Sequence, residues 1–254
     1  MGSRKERALP KKTARQIGSA IAEFSMIHEG DRVAVGLSGG KDSAFLLFSL
    51  CTVRDKSPVK FTIEAITLDP TDGRRDTSPL ERFTESLGVA HRIIRYPVFE
   101  ILEKSQTPSP CSLCANLRRG ILASASAEGG FASLALGHHR DDVIETVFLN
   151  LMYEGRFRSF HPNALMSRTG VRVIRPLVFV PEADIREEAE KRGFPIVNFC
   201  CGHESSSMRA YVKVTLRRLS RKAPNLASSV LHALKSVKSE DAWEAGSRST
   251  LTCD

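Results

Sequence analysis

A glycine turn between two apolar stretches is the feature that most constrains the fold of this chain. Residues 32–50 read RVAVGLSGGKDSAFLLFSL, in which SGGKDS separates a β-branched apolar run from a second apolar run. This pattern predicts a buried strand, a tight turn and a helix. Because such a junction aims free backbone N–H groups and a helix N-terminus at one point, it is suited to hold an anion such as a phosphate.

Strands and helices alternate along most of the chain. We predict strands at 61–68, 89–96, 132–137 and 171–178, and helices at 13–28, 78–88, 112–130, 141–155 and 181–193. The alternation predicts an α/β fold, with a parallel, Rossmann-like sheet covered on both faces. Ligands of such sheets bind beyond the carboxyl ends of the strands. We therefore expect SGGKDS, the region after Leu68 and GHHRDD at 137–142 to meet there.

The chain divides into four expected segments. Residues 1–12 form a basic arm that we predict to be disordered, and residues 13–203 form the α/β domain with most of the cysteines. Residues 204–240 form C-terminal helices, and residues 241–254 form a loose tail. The basic start has no secretory signal, and no apolar run approaches the roughly 20 residues of a membrane span. We therefore expect a cytoplasmic protein without a membrane partner.

The charge of the chain favours a polyanionic partner. The 254 residues carry a net charge of +8, with a sequence pI near 9.4. Basic residues cluster in the arm and again near the end, at Lys213, Arg217, Arg218, Arg221 and Lys222. These clusters indicate contact with nucleic-acid phosphates. On charge alone, solvated surface faces explain them equally well.

The residues of SGGKDS each suit a phosphate site, although the spacing is not that of a Walker loop. The two glycines allow a close backbone approach, the serines add hydroxyl donors, the lysine adds a compact positive charge, and the aspartate orients the loop or helps to hold Mg²⁺. The candidate phosphate-binding residues are Ser38, Gly39, Gly40, Lys41, Asp42 and Ser43. The alternative is an ordinary strand-to-helix turn capped by serine or aspartate.

Two cysteine motifs indicate metal or redox chemistry. PCSLC stands at 110–114 and FCCG at 199–202, in a chain of six cysteines that is expected to be reduced. Three thiolates from the two motifs would leave a fourth position open, on zinc or on one iron of a [4Fe–4S] cluster. Spacing alone favours zinc. Structural zinc, a redox pair and buried thiols are the alternatives.

GHHRDD opens the helix predicted at 141–155. Asp141 and Asp142 are suited to bind Mg²⁺ or to position a proton acceptor, or else they only complement the helix dipole. His138 and His139 stand on an extended segment and should point apart, which argues against a shared metal. One turn after Cys114, Arg118 is expected on the same helix face, where it can stabilise a developing negative charge or form a surface ion pair.

Long motifs carry a resemblance to a known family. SGGKDS after an apolar strand resembles the PP-loop of the N-type ATP pyrophosphatases, which cleave ATP to AMP and pyrophosphate. PCSLCANLRRGIL, LALGHHRDDVIETVFLN, VRVIRPL and FPIVNFCCG together resemble the tRNA 2-thiocytidine synthetase family, over roughly residues 15–235. The resemblance implies an adenine nucleotide alpha hydrolase-like domain with helical N- and C-terminal additions. It also implies an ATP-dependent tRNA thiolase that adenylates a cytidine carbonyl, at position 32, and replaces its oxygen by sulfur.

The resemblance also implies cofactors and residue roles. A [4Fe–4S] cluster would be bound by Cys111, Cys114 and Cys201, and Mg²⁺ by Asp42. ATP would contact the SGGKDS residues together with Leu68, Gly137 and His138. The catalytic residues would be Asp142, Asp141, Arg118 and Lys41. Expected partners are tRNA, a sulfur donor such as a cysteine desulfurase, and a second copy of the chain.

Two departures from the family keep alternatives open. NFCCG replaces the family's PCxxCG, so that Cys200 competes with Cys201 for the third ligand position, and TLDPTDGRRD after Leu68 differs from the family's loop. A related thiolase acting on uridine or on a substrate other than tRNA is the first alternative. The others are a lysidine-type ligase, which has no use for clustered cysteines, and a zinc-stabilised RNA-binding protein without catalysis.

Overall fold

Six strands form one sheet in the computed structural model of the chain, which describes residues 8–105, 110–197, 199 and 208–236. The strands are β1 Arg32–Gly36, β2 Thr62–Asp69, β3 Ala90–Arg95, β4 Ser133–Ala135, β5 Asn163–Leu165 and β6 Arg172–Ile174. The helices are α1 Lys11–Glu23, α2 Lys41–Arg54, α3 Ser78–Leu87, α4 Val98–Ser105, α5 Pro110–Glu128, α6 Arg140–Glu154, α7 Glu182–Arg192, α8 Met208–Lys222 and α9 Leu226–Ser236. Cys200, Cys201, the first seven residues and the tail at 241–254 lie outside the described residues.

The strand order places a binding crevice in the middle of the sheet. The order is β3-β2-β1-β4-β6-β5, and every neighbouring pair is parallel except β5 with β6. Chain order therefore reverses direction between β1 and β4, which pair in register at Val35 and Ala135. Such a switch point opens a crevice beyond the carboxyl ends of the two strands. SGGKDS follows β1 and GHHRDD follows β4, so the structure brings these two predicted segments together.

Helices cover both faces of the sheet, as the alternating pattern predicts. Val33 and Val35 face a core that is shared with α2, α3 and α7. Ala34, between them, faces the opposite side, where it packs with Ala123 of α5. The inner helix α2 is buried along most of its length, because its apolar residues surround the helix axis rather than forming one stripe. This rigid packing fixes the start of α2 at the crevice.

Several element boundaries differ from the sequence prediction. Helix α1 ends at Glu23 rather than at 28, because the chain turns at Ser25, with φ +47°, and buries Met26 in the core. The strand predicted at 171–178 ends at Ile174, since Pro176 has no N–H to donate to the sheet. Helix α4 and the antiparallel strand β5 were not predicted. No helix among the described residues is long and apolar enough to cross a membrane.

Candidate functional site

Hydrogen bonds close the SGGKDS segment into a compact loop at the start of α2. The Ser43 hydroxyl donates to the Gly40 carbonyl at 2.9 Å, and the Ser38 backbone N–H donates to the Ser43 hydroxyl at 3.1 Å. Ser38 and Ser43 also share a hydroxyl–hydroxyl contact at 3.1 Å. The serines therefore shape the loop, while the N-terminus of α2 points into the crevice, where it favours negative charge.

Gly39 is required by both its backbone conformation and its surroundings. Its φ is +83°, and a Cβ built on it would lie 2.5 Å from the Val197 carbonyl oxygen. The Val197 N–H also donates to the Gly39 carbonyl at 2.9 Å, which ties the loop to the segment after α7. That segment leads directly to the FCCG motif. A side chain at position 39 would therefore disturb both the loop and its link to the cysteine region.

GHHRDD packs directly against the SGGKDS loop. A Cβ on Gly137 would lie 3.0 Å from the Asp42 carbonyl carbon and 3.1 Å from the Ser43 backbone nitrogen. Two residues on, buried His139 caps α6: its N–H donates to the Asp142 carboxylate at 3.0 Å, and its Nδ1 accepts from the Asp142 N–H at 3.4 Å. Because Nδ1 is an acceptor, Nε2 carries the proton, and it lies 3.8 Å from Asp42.

Lys41 belongs to a chain of charges that crosses the site. Its Nζ donates to both Asp42 oxygens, at 2.9 and 3.0 Å, and to Glu182 Oε1 at 3.2 Å. Glu182 in turn binds Lys213 of α8 at 2.8 Å and Arg186 at 3.4 Å. Burial alone would lower the pKa of Lys41, but the bonds and charges of Asp42 and Glu182 outweigh burial and raise it. Lys41 is therefore held as a cation.

Glu182 is held as a carboxylate by its two lysine partners. Burial acts to raise its pKa, but hydrogen bonds and charge from Lys213 and Lys41 lower it to about 2. Its backbone N–H, at the start of α7, donates to Asp141 at 2.8 Å. Asp141 thus joins the start of α6 to the start of α7. One carboxylate, Glu182, links the loop lysine to the basic helix α8.

Asp142 and Arg209 connect α6 to α8 at the edge of the site. Arg209 lies 3.3 Å from the Asp142 carboxylate and 3.4 Å from Glu145. Burial raises the pKa of Glu145, while Lys213 and Arg209 act in the opposite direction. Asp142 therefore accepts bonds on both oxygens, from the His139 N–H on one and from Arg209 on the other.

His138 and His139 point apart, as the sequence predicts. The Nδ1 of His138 accepts a hydrogen bond from Arg175 Nε at 3.2 Å, and its ring lies 5.0 Å from the Phe160 ring. Burial, followed by the charge of Arg175, lowers the pKa of His138 to about 4. Arginine can only donate, so the neutral ring carries its proton on Nε2. Buried Arg175 also donates to the His161 carbonyl at 2.5 Å.

Cys111 and Cys114 lie in the first turn of α5. Cys111 is exposed and Cys114 is half-buried, and three-residue spacing places them on one helix face. Arg118 is half-buried one turn further on. The neighbouring Arg119 lies close enough to Arg175 for its charge, after the effect of burial, to lower the pKa of Arg175 to about 10. The third predicted ligand, Cys201, lies outside the described residues, as does its competitor Cys200.

Leu68 lies at the end of β2, beside the end of β1. Its side chain is buried, with 2% of its surface exposed, so only its backbone faces the crevice end of the strand. The next residue, Asp69, closes the loop after β2 by accepting from the Thr71 N–H and hydroxyl and from the Gly73 N–H. This bonding gives the divergent TLDPTDGRRD segment a fixed start.

Sequence reasoning did not find four residues of this network: Glu182, Arg175, Lys213 as a partner of the loop, and Arg209. The signal for Glu182 was weak, because an acid that follows a proline at a helix start is explained by the helix dipole alone. Lys213 was interpreted as part of a phosphate-binding stripe. Each of these residues gains its partner through long-range packing, which local patterns do not encode.

The crevice therefore has the groups needed to bind a nucleoside triphosphate. One end of the crevice is surrounded by a helix N-terminus, hydroxyl groups and Lys41. The other end is flanked by acidic residues that can bind a metal ion. Among the described residues, no group of three or more His, Cys, Asp or Glu is placed to bind a metal by itself. A metal in this crevice would therefore need ligands from the bound phosphates as well, which is typical of Mg²⁺.

Comparisons with known proteins agree with this geometry. The family model of the PP-loop domain matches residues 9–220. The tRNA-cytidine(32) 2-sulfurtransferase of Aromatoleum aromaticum is 40% identical over 90% of this chain and 73% of that protein. The enzyme of the same name from Legionella pneumophila is 40% identical over 91% of this chain and 83% of that protein. The solved U34-tRNA thiolase NcsA of Methanococcus maripaludis, with its [4Fe–4S] cluster, is 25% identical and has a TM-score of 0.72, over 90% of this chain and 80% of that one.

Proposed function

The chain belongs to the PP-loop family and, within it, to the family of the tRNA-cytidine(32) 2-sulfurtransferases, and from this premise we propose that it is an ATP-dependent tRNA sulfurtransferase. The proposed reaction adenylates the C2 oxygen of cytidine 32 with release of pyrophosphate. A sulfur nucleophile then attacks C2, the C–O bond breaks, and AMP leaves with the former carbonyl oxygen. The observation that carries the proposal is the contact of Gly137 with Asp42, which joins the phosphate loop to the acidic start of α6.

ATP binding is assigned to the crevice between β1 and β4. The loop residues Ser38 to Ser43 would surround the pyrophosphate part, with Lys41 as its cation. Leu68, Gly137 and His138 would border the nucleoside. Because His138 is neutral and carries its proton on Nε2, it is a donor at neutral pH. Asp42 would help to hold Mg²⁺, since it lies at the helix start beside Lys41.

Adenylation places negative charge on the transferring phosphate and on the leaving pyrophosphate, and the later attack by sulfur places it on the leaving AMP. Lys41 and Arg118 are proposed to stabilise that charge, because both are cations. Lys41 lies at the crevice, and Arg118 lies on the helix that carries Cys111 and Cys114. Asp142 is proposed to orient the reacting groups, with Asp141 fixing α6 against α7. Asp142 is the better candidate for a direct role, because it faces Arg209 at the edge of the crevice rather than a backbone N–H of α7.

The cysteines present fit an iron–sulfur cluster. Cys111 and Cys114 offer two thiolates from one helix turn, and the loop that Gly39 anchors through Val197 leads to Cys201 and Cys200. Three thiolates would hold a [4Fe–4S] cluster and leave one iron available to present sulfur to the activated base. Arg118 adds positive charge one turn from Cys114.

The proposed partners follow from the same chemistry. The basic residues of α8 would hold phosphates of tRNA, and a sulfur donor such as a cysteine desulfurase would resupply the sulfur. A homodimer and a cytoplasmic location complete the proposal.

The test is the thionucleoside content of tRNA. Cells that lack the gene should lose 2-thiocytidine, and the unaltered gene, but not its Lys41→Ala variant, should restore it. If every thionucleoside persists after deletion, the proposed function is wrong. Purified anaerobically, the protein should contain about four irons with matching sulfide per chain, and Cys111→Ala should lower both. Zinc near one per chain without iron would replace the cluster by a zinc site.

A uridine thiolase is the second candidate function. The observation that favours it is the structural likeness to the U34-tRNA thiolase, together with the divergent loop after Leu68. The same deletion decides between the two, because this candidate predicts loss of a thiouridine with 2-thiocytidine intact. ATP–pyrophosphate exchange in the presence of tRNA separates both from a non-catalytic RNA-binding protein, which should show none.

A further inference from the structure

An aromatic cleft runs along α6. It encloses about 760 Å³ and is bordered by α6, the loop after it and the end of α9. Four phenylalanines line it: Phe24, Phe157, Phe160 and Phe179. A mostly apolar cleft of this size, with a few polar groups, is typical of a site for an aromatic small molecule or for part of a larger ligand.

Phe157 is the exposed aromatic of this cleft. Its side chain is 40% exposed, although it is a large apolar residue. The loop that carries it is fixed at both sides of Phe157: before it, the Arg156 N–H donates to the Asn150 carbonyl at 3.1 Å, and after it, the Ser159 hydroxyl donates to the Val143 carbonyl at 3.1 Å. The ring is therefore presented at the surface by the fold and has open space before it.

Phe160 connects the cleft to the candidate active site. Its ring lines the cleft. The centre of the His138 ring lies 5.0 Å from the centre of the Phe160 ring, and the guanidinium carbon of Arg175 lies 4.8 Å from it. His138 lies in the short segment between β4 and the α6 start that carries Asp142. A ligand group seated on Phe157 would thus lie in the same cleft as Phe160, whose ring contacts His138 at the wall of the crevice.

The polar rim of the cleft places cations beside aromatic rings. Arg158 and Lys235 line the rim, where they pair with Glu154 and Glu23; Lys235 lies 4.3 Å from the Phe179 ring centre, and exposed Arg156 stands beside Phe157. Aromatic faces interleaved with cations are the means by which proteins stack unpaired RNA bases and contact their phosphates.

We propose that this cleft is a stacking site for an unpaired nucleobase of the RNA substrate, on the strand that carries the target cytidine, with Phe157 as the stacking residue. The proposal rests on the proposed function, because it takes the substrate to be tRNA. Binding at the cleft would hold a neighbouring base out of the loop stack while the target base enters the crevice. The site contributes affinity and position and takes no part in the chemistry.

The experiment measures RNA binding without ATP, so that it does not depend on catalysis. The probe is an unmodified tRNA anticodon stem-loop with fluorescent 2-aminopurine beside the target cytidine. Phe157→Leu keeps an apolar side chain and removes the ring, whereas Phe157→Trp keeps a ring. We expect Phe157→Leu to weaken binding about 5- to 150-fold, the range for loss of one stacked base, and to abolish the quenching of the probe, with Phe157→Trp retaining both.

Tyr96→Ala is the matched control. Tyr96 is an aromatic residue of nearly equal exposure, 41%, but it follows β3 at the opposite edge of the sheet. Its variant should bind and quench like the unaltered protein. The slope of log affinity against log salt should also be unchanged in Phe157→Leu, since stacking releases no counterions.

Three outcomes would overturn the assignment. Equal binding by the Phe157→Leu and Tyr96→Ala proteins would remove the cleft as a nucleobase site while leaving the proposed function intact. A change in oligomeric mass on Phe157→Leu would assign the cleft to a second copy of the chain. Failure of the unaltered protein to bind the stem-loop at all would count against both the cleft and a tRNA substrate. Binding and quenching with no thiolation in cells would contradict the proposed function alone.

Discussion

At the scale of single residues, Glu182 determines how the loop lysine is presented. It shares Lys41 with Asp42, and its second oxygen binds Lys213. Without Glu182, Lys41 would keep its bonds to Asp42, the residue proposed to help hold Mg²⁺, but would lose the carboxylate that draws it toward α7. Glu182 is therefore a positioning residue, which acts through Lys41.

We expect Glu182→Gln to lower the kcat/KM of ATP–pyrophosphate exchange about 10- to 100-fold, since a hydrogen bond to a charged group is worth about 1.5–3 kcal/mol. The matched control is Arg186→Gln, which removes a half-exposed cation from the same carboxylate and should change exchange less than threefold. Equal effects of the two variants would show that Glu182 acts only on the stability of α7.

A pH dependence follows from His138. Its folded-state pKa of about 4 lies below the ordinary value of 6.5, because burial and the charge of Arg175 disfavour the imidazolium. The unfolded chain therefore binds more protons than the folded one between these values, and stability is lost as the pH falls from 6.5 toward 4. The loss should reach up to about 3 kcal/mol, and urea unfolding at pH 7 and pH 4.5 measures it.

His138→Gln should remove that part of the pH dependence, since glutamine keeps a polar group near the Nε2 position and does not titrate. Parallel stability curves for the variant and the unaltered protein would contradict the assignment of the low pKa to His138.

At the scale of elements, the site depends on two helix starts that touch through one glycine. A methyl group at position 137 would meet the Asp42 backbone at 3.0 Å, on a rigid helix that cannot yield as a side chain can. The β4–α6 junction can thus lie this close to the β1–α2 loop only because Gly137 has no Cβ. The sequence predicts that Gly137 contacts ATP, but it does not show this contact with the loop backbone.

Gly137→Ala should raise the KM for ATP about tenfold and lower the free energy of unfolding by about 1–3 kcal/mol, as overpacking of a rigid contact does. Gly18→Ala is the control, because it adds a methyl group in α1 with nothing within 4 Å. That variant should be neutral or more stable by up to about 1 kcal/mol, as expected of alanine in a helix. Unchanged ATP binding in Gly137→Ala would mean that the two junctions can move apart without consequence.

Most elements could be predicted because their sequences agree with their environments. The apolar run of β1 and the glycine turn identified the crevice, and the Pro-Glu start and Gly193 end of α7 bounded that helix. Strand β5 could not be predicted, since its three residues gain strand structure only by pairing with β6. Glu182 and Arg175 could not be assigned for the same reason: their roles come from partners distant in sequence.

At the scale of the whole molecule, the basic residues of α8 fall into two groups, those paired with acidic residues of the candidate site and those further along the helix. Lys213 and Arg209 are occupied by Glu182, Glu145 and Asp142, so they belong to the site rather than to a free basic face. The rest of the predicted stripe continues along α8, where Arg217 and Arg221 line a second cleft of about 510 Å³ beside Asp141. The division into a domain at 13–203 and C-terminal helices at 204–240 stays a prediction, and ion pairs join α8 to the starts of α6 and α7.

The remaining stripe should govern the salt dependence of tRNA binding. Replacing Arg217 and Arg218 by glutamine should weaken binding at low salt and reduce the slope of log affinity against log salt by about 0.7–0.9 for each phosphate that the variant no longer neutralises. Arg54→Gln, at the far end of α2, is the control and should leave the slope unchanged. An unaltered slope in the double variant would place the RNA on another face.

The position of β4 has a consequence for how the chain folds during synthesis. Strands β1, β2 and β3 lie within residues 32–95 and pair with one another, so this half can form early from contacts close in sequence. The phosphate loop is then present, but its second wall arrives only when β4 adds on the other side of β1, and Glu182 and Lys213 come later still. A nascent or truncated chain thus has a loop that holds nucleotide poorly. A ligand stabilises only the folded state that binds it. ATP would therefore selectively stabilise chains that have been completed through α8.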